Sequence, residues 1–184
     1  MFVRAEKTGE MRTTYWHEDD STETYVGGNR TWRNHNPGNI GAGPWANRHG
    51  AIGKAERFAV FPSYETGRAA IFDRLLSPDF RDQTIWAAIP HYAPAKENDV
   101  KWYRDLVRDV TGLDLQRKIK DLNKGELEKL VDTIERAEGK FKPGKIIKKE
   151  AKKKISAVRK DENGTIVSYY VKGLGWLSKR KAIQ

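Results

Sequence analysis

Asn123-Lys124-Gly125-Glu126-Leu127-Glu128-Lys129-Leu130-Val131-Asp132-Thr133-Ile134-Glu135-Arg136-Ala137-Glu138-Gly139 carries the clearest structural signal in the chain. Asn123 and Glu126 have the spacing of a capping box, in which each side chain satisfies the other residue's backbone N–H. Leu127, Leu130, Val131 and Ile134 recur at helical spacing and form one apolar stripe. Gly139 stands where a helix stops. The stretch predicts a helix with one face in a core.

Three further helices are predicted upstream. Ser63 caps one running to about Ser77, with Ala69, Phe72, Leu75 and Leu76 on one face. A short one covers Thr84–His91 and is bounded by Pro90 and Pro94. The next spans Asn98–Thr111, with Val100, Tyr103, Val107 and Val110 at helical spacing and Gly112 as its stop. Before them, Asn36-Pro37-Gly38-Asn39 predicts a turn, and the alternating run RFAVF at 57–61 predicts a short strand ended by Pro62. The expected fold class is α+β, mainly helical, with one small β element. Residues 1–30 read as an N-terminal arm or linker, 31–144 as the main domain, and 145–184 as a basic C-terminal β-hairpin module. Within that module Asn163-Gly164 is a hairpin signal, and Leu177–Gln184 begins a helix.

Composition narrows the chemistry. The 184 residues are 38% hydrophobic and 33% charged, an ordinary globular balance. No cysteine is present, which removes disulfides, thiolate catalysis and cysteine zinc sites. The four histidines, His17, His35, His49 and His91, are not paired at metal-ligand spacing, so no metal and no cofactor are expected. There is no P-loop and no GxSxG. No apolar run approaches the roughly 20 residues that span a membrane, and the first residues lack the apolar core of a secretory signal. The net charge of +10 is concentrated at one end: residues 140–184 hold 14 Lys and Arg against 3 Asp and Glu. Such a tail is drawn to a polyanion, whether nucleic acid, anionic lipid or cell wall.

Among the carboxylates, Glu138 has the most specific case. It lies four residues after Ile134, on the buried stripe and in the last helical turn. Burial and the negative helix end both disfavour its ionised form. That suits a general acid for glycoside hydrolysis, which must hold a proton near neutrality. Glu135, one step toward solvent, is the internal control. Glu56, just before the predicted strand, and Glu65, in the first turn of a helix, are the next candidates. Trp32, Trp45, Trp86, Tyr92 and Trp102 divide between core packing and a sugar-stacking groove.

The segments RTWRNHNPGNI, HGAIG, FAVFPSYETGRAAIFDRLL and TIWAAIPHYAPAKEND occur in that order. Together they resemble virion-associated muramidases of phages and the related lysozyme-like effectors of type VI secretion systems, over roughly residues 29–144. Arg33-Asn34-His35-Asn36-Pro37-Gly38-Asn39-Ile40 follows the family's Arg-Asn-Asn-Asn-Pro-Gly-Asn-Ile except at His35, and Ala93-Pro94 and Glu97-Asn98 also agree. The resemblance implies a lysozyme-like domain that cleaves the MurNAc–GlcNAc backbone. A looser likeness to glucosaminidases and lytic transglycosylases implies that a Glu-Gly helix end supplies the acid. Here that step, Glu138-Gly139, comes after the other motifs rather than before them, as in a circular permutation. Without permutation the acid falls in the first 70 residues, with Glu56 and Glu65 ahead of Glu18 and Glu23.

The expectation is therefore a peptidoglycan glycan-strand hydrolase, an antibacterial effector or phage lytic domain. Glu138 is the acid, with Glu56 or Glu65 as the second carboxylate. Asn34, Asn36, Asn39 and Tyr92 bind the glycan. Expected partners are peptidoglycan strands and, as a candidate, an immunity or inhibitor protein. No membrane and no nucleic acid are expected. The place of action is the bacterial periplasm or cell wall, reached without a signal peptide of its own. A silent wall-binding module and a nucleic-acid-directed toxin using the basic tail are the alternatives. Hydrolysis and lytic transglycosylation are not distinguished by these residues.

Overall fold

The computed structural model describes residues 1–151, 155–171 and 174–179. Strands β1 (Phe2–Gly9), β2 (Arg12–His17) and β3 (Thr22–Val26) open the chain. Two single-turn helices follow, α1 (Arg30–Arg33) and α2 (Pro44–Arg48), then the short strands β4 (Gly53–Ala55) and β5 (Phe58–Val60). Helices α3 (Tyr64–Leu75), α4 (Ile85–Tyr92), α5 (Val100–Thr111) and α6 (Lys124–Ala137) come next, and β6 (Lys145–Lys149) ends this part.

The predicted mainly helical class is corrected by this structure. The described part of the chain is 34% helical and 28% strand, with a six-stranded mixed sheet and a separate three-stranded one. The large sheet runs β5-β4-β1-β2-β3-β6, and β1 and β4 are its parallel pair. Residues 2–26, expected to be an arm or linker, are the middle of that sheet. Their signal lay in β-branched and aromatic residues rather than in hydrophobicity. Thr13, Thr14 and Tyr15 of β2 are all buried, and threonine suits a pleated, half-buried surface. The hydroxyls of Thr8, Thr14 and Thr24 bond across the three strands at 2.8 and 2.9 Å. The two turns place Met11 (φ 47°) and Asp20 (φ 68°) in the left-handed region without glycine; in the second, the Asp19 carboxylate accepts from the backbone and hydroxyl of Ser21.

Two cores result. The larger is helical and includes Ile71, Ile89, Val107, Leu130, Val131 and Ile134. The predicted α6 stripe is buried in it as drawn, and the capping box of Asn123 and Glu126 is formed. Truncating a side chain such as Leu130 to alanine costs about 2–5 kcal/mol. The predicted face of α3 is rotated: Ala70, Ile71 and Leu75 are buried while Ala69 is exposed. The smaller core is aromatic and lies on the sheet, where Tyr15, Tyr25 and Trp32 pack with Ala5, Ala55 and Val60. His35 joins it, with ring centroids 4.8 Å from Tyr15 and 4.9 Å from Tyr25. Its backbone φ of 47° is a conformation that Asn and His tolerate better than most side chains.

Downstream, β7 (Ile155–Lys160), β8 (Ile166–Val171) and β9 (Gly175–Ser178) form the second sheet in sequence order. The predicted hairpin is present, but its loop is Asp161–Thr165, closed by the Asp161 carboxylate accepting from the backbone N–H groups of Asn163 and Thr165. The predicted helix at Leu177–Gln184 begins within β9, and its residues 180–184 lie outside the described part. Lys145–Lys149, assigned in sequence to the C-terminal module, instead pairs with β3 at the edge of the large sheet. No helix among the described residues is long and apolar enough to cross a membrane.

Candidate functional site

Three elements from distant parts of the chain bring Glu138 to the floor of a groove. Glu138 caps α6 rather than fraying from it, since its N–H still reaches Ile134 O at 2.9 Å. Gly139 follows with φ 92°, a turn that a side chain would strain. The carbonyl of Gly139 is then held by α1: the Thr31 hydroxyl donates to it at 2.8 Å and Asn29 Nδ2 at 3.0 Å. Asn29 also caps α1 and accepts from Lys142 N–H, so one side chain locks the chain on both sides of the helix end.

The turn at 36–39 supplies the wall. Asn36 is fully buried, and its amide bonds both ways with Ile40 and donates to Ala59 O. Asn36 thus holds the turn, and its amide is spent on backbone instead of facing a ligand. Gly38 packs so closely that a Cβ there would sit 2.4 Å from the Tyr92 hydroxyl. That hydroxyl donates to Gly38 O at 2.8 Å. Asn39 completes the turn and aims Nδ2 at Glu138 Oε2, 2.9 Å away. Asn39 Oδ1 accepts from Arg30 Nε at 2.9 Å, and the Arg30 guanidinium lies 3.6 Å from the centre of the Phe58 ring. The other oxygen of Glu138 is 3.4 Å from the Tyr103 hydroxyl.

Desolvation raises the Glu138 pKa above the ordinary carboxylate value. The bonds from Asn39 and Tyr103 and the charge of Arg30 work the other way without cancelling it. The groove above it, about 330 Å³, is lined by Arg30, Asn39, Phe58, Tyr92, Glu97 and Glu138, among others. A much smaller apolar cavity of about 20 Å³ lies in the helical core; Tyr92 lines it as well as the groove, and Tyr103 lines the cavity. Across the groove, Arg57 makes a bidentate ion pair with Glu97, joining the β4–β5 turn to the loop after α4. The bonds from Arg57 hold the Glu97 carboxyl below its ordinary pKa.

The sequence-derived candidates separate accordingly. Glu138, Asn39 and Tyr92 meet in the groove. Glu56 and Glu65 do not line it. Glu56 is exposed and tied to Lys7, which lowers its pKa. Glu65 is exposed at the start of α3, where its own backbone N–H and then Ser63 lower its pKa. Asn34 is buried beside a neighbouring pocket. Glu135 is not a solvated control: it accepts from Arg68 and from the Tyr64 hydroxyl, both at 2.7 Å. Arg30, Arg57, Glu97 and Tyr103 were missed. Glu97 stood within the Ala-Pro-x-x-Glu-Asn motif, which gave it no role. Nothing local in the sequence marked the two arginines.

No group of three or more His, Asp or Glu among the described residues is placed to hold a metal. The chain matches no family model, no curated protein and no solved structure.

Proposed function

We propose that this protein cleaves the glycan strands of peptidoglycan, with Glu138 as the general acid. The observation that carries the reading is a single desolvated carboxyl on the floor of an open groove, aligned by Asn39 and Tyr103. Its raised pKa favours the protonated form, which carries the proton that the glycosidic oxygen must receive as the bond breaks. The second carboxylate of the groove, Glu97, is pushed in the opposite direction and stays ionised. Two carboxyl groups with opposed environments are the usual division of labour in this chemistry. Glu97, released from Arg57 as the strand enters, stabilises positive charge at the anomeric carbon or positions the incoming water. Tyr92 and Pro94 line the groove and give it apolar surface for sugar rings. The basic C-terminal segment favours residence at an anionic wall. The resemblance to phage and type VI secretion muramidases points to the same substrate.

The test is digestion of purified sacculi, read as new reducing ends and as the masses of released muropeptides. Wild type releases glycan fragments, Glu138→Gln does not, and Glu56→Gln and Glu65→Gln remain active. Absence of cleavage by folded wild type overturns the proposal in favour of a wall-binding module.

A further inference from the structure

A second pocket of about 250 Å³ adjoins the groove, and Arg30 lines both. Asn34, among its most buried polar residues, is 1% exposed. The Thr13 hydroxyl donates to Asn34 Oδ1 at 2.9 Å, which orients the amide and leaves Nδ2 as the open donor. Among the described residues Asn34 Nδ2 is the one buried side-chain polar atom without a partner. A buried donor left unsatisfied costs about 1–3 kcal/mol, so such a group calls for an explanation.

The charges around it are unbalanced. Lys7 is spent on Glu56. Arg12, Arg30 and Arg33 form no ion pair among the described residues, and Glu10 is the remaining carboxylate. Arg33 is held in place by Nη1, which donates to Gly27 O at 2.9 Å and Gly28 O at 2.7 Å. Burial works against the charge on both Arg30 and Arg33. Glu56, at the rim, sits at φ 57° without being glycine. An anion placed here meets up to three guanidinium groups beside the unpartnered Asn34 amide, a donor set suited to carboxylate and phosphate oxygens.

We propose that this pocket binds a small oxyanion through Asn34 Nδ2, Arg12 and Arg33, with Arg30 as the wall that separates it from Glu138. That its ligand is a carboxylate of the glycan strand, from muramic acid or its stem peptide, rests on the glycan-cleaving reading above; the oxyanion chemistry does not. The pocket then fixes which sugar of the strand lies over Glu138.

The experiment uses the full chain carrying Glu138→Gln, labelled with ¹⁵N, so that binding is read without turnover. It is titrated with N-acetylmuramic acid, with neutral N-acetylglucosamine and with inorganic phosphate, while the side-chain amide of Asn34 is followed by NMR. The expected result is a saturable shift with N-acetylmuramic acid, none with N-acetylglucosamine, and at least about tenfold weaker binding in Arg12→Gln. Arg12 is exposed, so its variant tests the site without disturbing the core. A response to phosphate alone keeps the oxyanion site and assigns it a phosphate-bearing ligand. No response to either anion, or an equal response to N-acetylglucosamine, overturns it. The two proposals fail separately. Anion binding without sacculus cleavage by wild type removes the muramidase and leaves the site. Cleavage without anion binding removes the site alone.

Discussion

Glu135 and Glu138 stand three residues apart at the end of one helix, and their surroundings differ in kind. Glu135 is enclosed by donors that carry charge: Arg68 reaches it directly and also binds Asp132 at 2.7 Å. Glu138 is enclosed by neutral donors, Asn39 and Tyr103, with Arg30 near but bonded to Asn39 instead. Both are partly buried. The difference teaches that a part-buried carboxyl can be held in two ways, by opposite charge in contact or by neutral donors alone.

The largest expected effect is catalytic. Glu138→Gln should lower turnover of sacculi by roughly 10²–10⁴-fold, whereas Glu135→Gln should stay within a few-fold of wild type. Equal losses in both variants would break the comparison. The next effect is on stability and has opposite signs at the two sites. Glu135→Gln removes the charge that Arg68 and Tyr64 were built around and should cost about 1 kcal/mol, a figure kept small because Arg68 remains 25% exposed. Glu138→Gln should instead stabilise the protein at pH 7, by about 0.5–2 kcal/mol. The sign follows from the raised pKa: the folded state penalises the ionised form, so the cost is absent below the ordinary carboxylate range and grows as pH rises through the folded pKa. Urea midpoints at pH 4 and pH 7 decide it, since the gain should vanish at pH 4.

A smaller effect concerns the pH profile. Activity should fall on the alkaline side as Glu138 loses its proton. Asn39→Ala deletes a bond that favours the ionised form, so its limb should move to higher pH even as overall activity drops. A limb that moves to lower pH would assign Asn39 a different role. The smallest effect extends the rule to a base. Burial lowers the His35 pKa from 6.5, so the neutral ring is the folded form. Its contribution to stability is intact above pH 6.5 and is lost as pH falls through the lowered value. Thermal midpoints between pH 7 and pH 5 should decline less steeply in His35→Gln than in wild type.

How much of this was legible depends on sequence distance. Helix α6 could be read to the residue, because a capping box and an apolar stripe are local signals. Glu138 and Asn39 were legible as members of motifs, yet their bond joins positions 99 apart, and no periodicity reports such a pairing. The sheet was lost for a related reason. Its strands β1 to β3 bury threonines and aromatics rather than an alternating aliphatic set, and its turns use Met11 and Asp20. His35, the one departure from the family's Asn-rich run, became intelligible only once the aromatic core of Tyr15 and Tyr25 was visible.

The pairing of β6 with β3 joins Thr22 to Lys149 and Val26 to Lys145. During synthesis this imposes an order in time. The β1–β2–β3 ribbon needs only the first 26 residues, but the floor of the groove arrives with residues 138–142 and the sheet edge with residues 145–149. At roughly 5–20 residues per second, more than five seconds separate the two. A chain still on the ribosome at that stage holds the ribbon but lacks Glu138 and the floor of the groove.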